Sequence, residues 1–118
     1  MNSIFKVLSS EQWEEAKITG LIPRRSADIE HDCVHVNEFQ DLTTICTRFF
    51  KPGESPIALE FAPDSYQDIQ WHEPTKEKPW REGRVKVEHL LADLVLNIYS
   101  FEHRQTDVGI VYQLLGEE

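Results

Sequence analysis

The segment Cys33-Val34-His35-Val36-Asn37-Glu38-Phe39-Gln40 constrains the fold more than any other, because a strand there runs with no linker into the start of a helix. Side chains alternate along a strand, so Val34 and Val36 face the core while Cys33, His35 and Asn37 share the opposite face. The Asn37 side chain is placed to cap the amide of Gln40, and Gln40 to reach back, as in an Asx form of the capping box. A helix start pinned to the end of the strand fixes where the His35 ring points. An imidazole held beside a helix N-terminus suits a polar or anionic ligand. The same pattern also describes a half-exposed strand histidine with no task.

Periodicity predicts the remaining elements. Ile4 to Leu8 reads as a short strand, and Ser9-Ser10-Glu11-Gln12 supplies a capping box for a helix that turns Trp13 and Ala16 inward and stops at Gly20. Leu21 to Glu30, with Pro23 and no sustained period, reads as a loop. Phe39, Leu42, Ile45, Cys46 and Phe49 mark one apolar stripe on the clearest helix, which Lys51-Pro52-Gly53 ends. Ile57, Leu59 and Phe61 alternate with Ala58 and Glu60 in a strand. Ile69 to Glu73 is a short strand stopped by Pro74, and Pro74 to Gly83 is a polar loop around Trp80. Val95 to Phe101 reads as a buried strand. If Glu102 to Asp107 turns back, a final strand at about 106–115 completes a hairpin with Val108, Ile110, Tyr112 and Leu114 on one side. This order of elements predicts one α+β domain over 1–118, with two main helices packed on antiparallel sheet.

The 118 residues suffice for a core without disulfide or metal staples. No apolar run approaches the ~20 residues of a membrane span, and the N-terminus lacks a basic-then-apolar leader, so the expectation is a cytoplasmic chain without a membrane partner. Cys33 on a strand and Cys46 on an apolar helix face fit a reducing compartment rather than a disulfide. With 12 basic and 21 acidic residues the formal charge is −9, which argues against general nucleic-acid binding. Lys76, Lys78, Arg81, Arg84 and Lys86, and the pair Arg24-Arg25, leave room for a local anion site, although Glu77 and Glu82 give the larger group the look of a solvated loop.

His31-x-Cys33-x-His35 would align three zinc-type donors if the strand reached back to His31. No fourth ligand is evident, and no metal is expected. Neither a nucleophile elbow nor a glycine-rich phosphate loop is present. Glu73, at a strand end before a loop, is suited to stabilising a cation or orienting a ribose hydroxyl, or is a plain surface glutamate. His89 reads as structural.

The chain from Ile4 to about Phe101 resembles the small, mainly bacterial domain-of-unknown-function family 952. The resemblance rests on Ile4-Phe5-Lys6-Val7-Leu8 followed by Trp13, on His31-Asp32-Cys33-Val34-His35-Val36-Asn37, on Trp71-His72-Glu73-Pro74, and loosely on Pro79-Trp80-Arg81-Glu82-Gly83. That family is similar in fold to ADP-ribosyltransferases and to RNA 2′-phosphotransferases. The resemblance implies a split antiparallel sheet around a cleft that holds NAD in active relatives. It implies a nucleotide or other phosphorylated ligand, with Lys6, Arg24 and Arg25 binding its phosphate, Asn37 and Arg81 also binding it, Trp80 covering the site, His35 orienting ribose or nicotinamide, and Glu73 assisting transfer. Lys6 departs from the first-strand histidine or arginine of those relatives and favours binding over turnover, since an ammonium cannot act as an imidazole acceptor. The alternative is a noncatalytic protein-interaction module, with a homodimer through the extra C-terminal strand left open.

Overall fold

The computed structural model describes residues 2–117. Seven strands, β1 (Ile4–Ser9), β2 (Val34–Asn37), β3 (Pro56–Phe61), β4 (Gln70–His72), β5 (Glu82–Val85), β6 (Val95–Thr106) and β7 (Gly109–Glu117), form one antiparallel sheet in the order β4-β5-β2-β1-β3-β6-β7. Three helices, α1 (Ser10–Thr19), α2 (Ser26–His31) and α3 (Leu42–Phe49), accompany it, so the architecture is α+β.

Both faces of the central strands are covered. On one face Ile4, Leu8, Val34, Val36, Leu59, Phe61 and Val85 pack with Ala16 of α1, Ile22 and Leu90. On the other, Phe5, Val7 and Ala58 pack with Leu42, Ile45 and Cys46 of α3, and with Phe50, Trp80 and Tyr112. A strand buried on both faces reads as a continuous apolar run, which is why β1 and β3 lack polar alternation apart from Lys6 and Glu60. Truncating a core residue such as Leu59 to alanine would cost about 2–5 kcal/mol.

The α1 boundaries follow the predicted chemistry. The Gln12 amide donates to Ser9 Oγ at 3.1 Å and the Ser9 amide to Gln12 Oε1 at 3.0 Å, while Gly20 takes the left-handed conformation at φ +81° and donates to the Ala16 carbonyl at 2.8 Å.

Four local expectations are corrected. The stretch read as a loop from Leu21 to Glu30 holds all of α2 but its last residue, His31, and α2 has no apolar period because a buried aspartate, Asp28, organises it from the third position of its first turn. Asn37 does not cap the next helix: its Nδ2 donates to the Arg81 carbonyl at 3.3 Å, Gln40 Nε2 donates to Glu38, and a short 3₁₀ turn at Phe39–Asp41 precedes α3. The strand through Val95 to Phe101 is half-exposed, not buried, and continues to Thr106 because beyond Phe101 it pairs with β7 alone. The reversal uses only Asp107 and Val108 instead of Glu102 to Asp107.

Strands β1 and β3 pair over six residues, whereas β1 and β2 meet only at Phe5↔Asn37. Beyond that single pairing the two strands part. The candidate site lies in this parting.

Candidate functional site

Lys6 follows the last β1–β2 pairing and fills the parting with its ammonium. Its Nζ donates to Asp28 Oδ2 at 2.9 Å and to the His35 carbonyl at 2.9 Å. Lys6 and Asp28 are 4% and 1% exposed, so this is a buried ion pair. The Asp28 carboxylate also accepts from the Arg25 amide at 2.8 Å, the His35 amide at 2.8 Å and His35 Nδ1 at 2.7 Å. Burial alone would push the Asp28 carboxyl up. The His35 hydrogen bond, the Lys6 charge and the Arg25 amide outweigh it and hold this carboxyl well below the usual carboxylate range. For Lys6 the balance falls the other way, and burial pulls the ammonium below its ordinary value although Asp28 opposes the shift.

An ionised carboxylate is acceptor-only, so His35 carries its proton on Nδ1. His35 Nε2 lies 3.0 Å from His31 Nδ1, at the end of α2, and 3.8 Å from Glu82 Oε2 on β5. The result is a hydrogen-bonded chain, Lys6–Asp28–His35–His31, running from the buried parting to a partly exposed histidine.

A pocket of about 490 Å³ opens against this chain. Its polar wall is Lys6, Asp28, His35, Asn37 and Glu82, and its apolar wall is Val7, Ile45, Phe49, Phe50 and Trp80. Arg25 and Lys78 also line it. The Arg25 guanidinium stacks 4.2 Å over the Phe50 ring and, among the described residues, has no carboxylate within ion-pair distance, whereas Lys78 faces Glu82 at 3.8 Å.

The sequence-predicted residues therefore divide. Lys6, Arg25, His35, Asn37 and Trp80 come together around the pocket. Arg24, Arg81 and Glu73 do not. Arg24 Nη2 donates to the backbone carbonyls of Asp28 and Cys33 at 2.9 and 3.4 Å, fastening α2 to the start of β2. Arg81 Nε binds Glu73 at 2.7 Å and Arg81 Nη1 binds Glu38 at 3.3 Å, with the guanidinium 4.6 Å above the Trp71 ring. Glu73 is 73% exposed in that surface cluster because Pro74 turns the chain out of the sheet immediately after β4. Trp80 is 4% exposed and packs edge-to-face with Phe49, so it forms a wall of the pocket and not a cover over it. His31, Cys33 and His35 do not align on one extended strand, since His31 closes α2 and β2 begins at Val34. Among the described residues no set of three or more histidine, cysteine or acidic side chains is arranged to hold a metal ion. His89 has the structural task expected of it, its Nδ1 lying 3.0 Å from the Ile22 carbonyl.

Sequence reasoning missed Asp28 and Glu82. Asp28 left one signal, an acid at the third position of a helix first turn, where it can reach back to the Arg25 amide. Glu82 left none, because its place opposite Asn37 follows from the pairing of β5 with β2.

No protein-family model matches the chain, and no curated protein matches it. The fold is shared with protein CC0527 from Caulobacter crescentus. Its crystal structure superimposes with a TM-score of 0.72 at 17% identity over 92% of both chains, and its solution NMR structure with 0.69 at 19% identity over 93% of this chain and 91% of that one. Among the described residues no helix is long and apolar enough to cross a membrane.

Proposed function

We propose that this is an ADP-ribosyltransferase-like domain whose pocket, between β1 and β2, binds an NAD-like nucleotide or another phosphorylated ligand. The observation that carries the reading is Arg25, a guanidinium without a carboxylate partner among the described residues, set over Phe50 at the edge of an aromatic wall. A phosphate suits the guanidinium and a flat base or nicotinamide suits Trp80 and Phe50. Lys6 is not the phosphate anchor, since Asp28 already neutralises it. Glu82, 13% exposed on the pocket wall, takes the part first given to Glu73 and faces any positive charge that develops as a glycosidic bond breaks. His35 acts as a positioning residue, its ring engaged at both nitrogens.

Calorimetric titration with NAD and ADP-ribose tests the reading, with nicotinamide release followed in parallel. Binding is expected, with slow or no release. Arg25→Ala should weaken binding at least tenfold, and Glu73→Ala should leave it unchanged. Absence of binding by every nucleotide tried would overturn the reading. It would favour a noncatalytic interaction module, for which the exposed pair Leu21 and Leu91, joined in a β-bridge, is the supporting surface.

A further inference from the structure

We propose that Lys6 is an amine nucleophile that forms an imine with a small aldehyde or ketone carrying an anionic group. An ammonium has three hydrogens. Lys6 gives two of them to Asp28 and the His35 carbonyl, and the third has no protein acceptor among the described residues, although the side chain is 96% buried and lines the pocket. That hydrogen marks where a ligand oxygen docks. Burial and the nearby Arg25 charge both work against the protonated form and together outweigh Asp28, which holds the ammonium at 2.9 Å.

The chemistry balances with Asp28 ionised. The ammonium loses one proton to solvent, and the freed nitrogen lone pair attacks the carbonyl carbon as the C=O electron pair moves to oxygen. That oxygen takes up a proton from solvent to give an N-protonated carbinolamine. Departure of the hydroxyl, protonated as the nitrogen gives up its second proton through solvent, leaves an iminium and one water. One positive charge is buried before and after, and the Asp28 carboxylate pairs with it in both states. Arg25 is the partner for the anionic group of the carbonyl compound, and Phe50 and Trp80 shelter the imine from water. The inference uses the pocket but not the nucleotide reading, and labelling can succeed where no nucleotide binds.

Pyridoxal 5′-phosphate is a suitable probe. The full chain is incubated with it at neutral pH, reduced with cyanoborohydride, and the label located by peptide mass spectrometry. Lys6 should be labelled at least tenfold faster than the exposed Lys51 and Lys76, and the advantage should vanish in urea. Lys6→Arg retains a cation for Asp28, so circular dichroism should show it folded while its fast-labelled site is gone. Arg25→Ala should slow labelling of Lys6 by the phosphorylated probe far more than labelling by propionaldehyde. Labelling of Lys6 no faster than that of Lys51 overturns the nucleophile, and an equal effect of Arg25→Ala on both probes overturns the anionic substrate class. Calorimetry with NAD decides the nucleotide reading separately.

Discussion

Replacing Asp28 with asparagine tests whether the buried pair organises the parting of β1 and β2. The substitution conserves shape but removes the carboxylate that holds the Lys6 ammonium, and an amide cannot satisfy all four donors now bound: Lys6 Nζ, the Arg25 amide, the His35 amide and His35 Nδ1. Breaking one partner out of a buried ion pair costs about 3–5 kcal/mol, because the other charge is left without compensation. Against a total stability of about 5–15 kcal/mol this is a large share. It corresponds to a fall in Tm of roughly 10–20 °C for a domain of this size. Urea denaturation and calorimetry of the two proteins give the difference directly. A second variant separates charge from packing: combining Asp28→Asn with Lys6→Met removes both ionisable groups and should restore at least half of the loss. The pH dependence supplies a third check. The folded Asp28 carboxyl lies below its unfolded value, so its contribution is fully present above about pH 4 and is lost as the pH falls from there toward the folded value. The parent should therefore lose more stability in acid than Asp28→Asn does. A loss below about 1 kcal/mol at neutral pH, or equal acid sensitivity in both proteins, would refute the reasoning.

Two further outcomes follow from the packing. A Cβ at Gly83 would lie 2.8 Å from Val36 Cγ2 and 2.9 Å from the Trp71 ring, so Gly83→Ala should destabilise by about 1–3 kcal/mol in urea titration and loosen β4 from β5. Burial pushes the Cys46 thiol up to about 12, so at pH 8 iodoacetamide should modify it only after denaturant is added; rapid modification of the native chain would show that α3 does not seal the core.

Local chemistry written in the sequence determined much of this protein. The Ser9 capping box and Gly20 set the ends of α1, the spacing of Leu42, Ile45 and Cys46 set the buried face of α3, and the largely apolar run Pro56–Phe61 set β3. His35 on a short strand was legible because Val34 and Val36 on either side of it both face the core. Long-range pairing decided the rest. Asp28 sits in a stretch without period, and its value to the fold comes from Lys6, twenty-two residues earlier, and from His35, seven later. Glu73 and Glu82 lie on either side of one loop, and only the register of β5 against β2 puts Glu82 in the pocket while Pro74 leaves Glu73 at the surface. Lys6 looked like a free cation because nothing local reveals its counter-ion. A buried charge is tolerated only where tertiary structure brings an opposite charge to it, and that pairing is invisible along the chain.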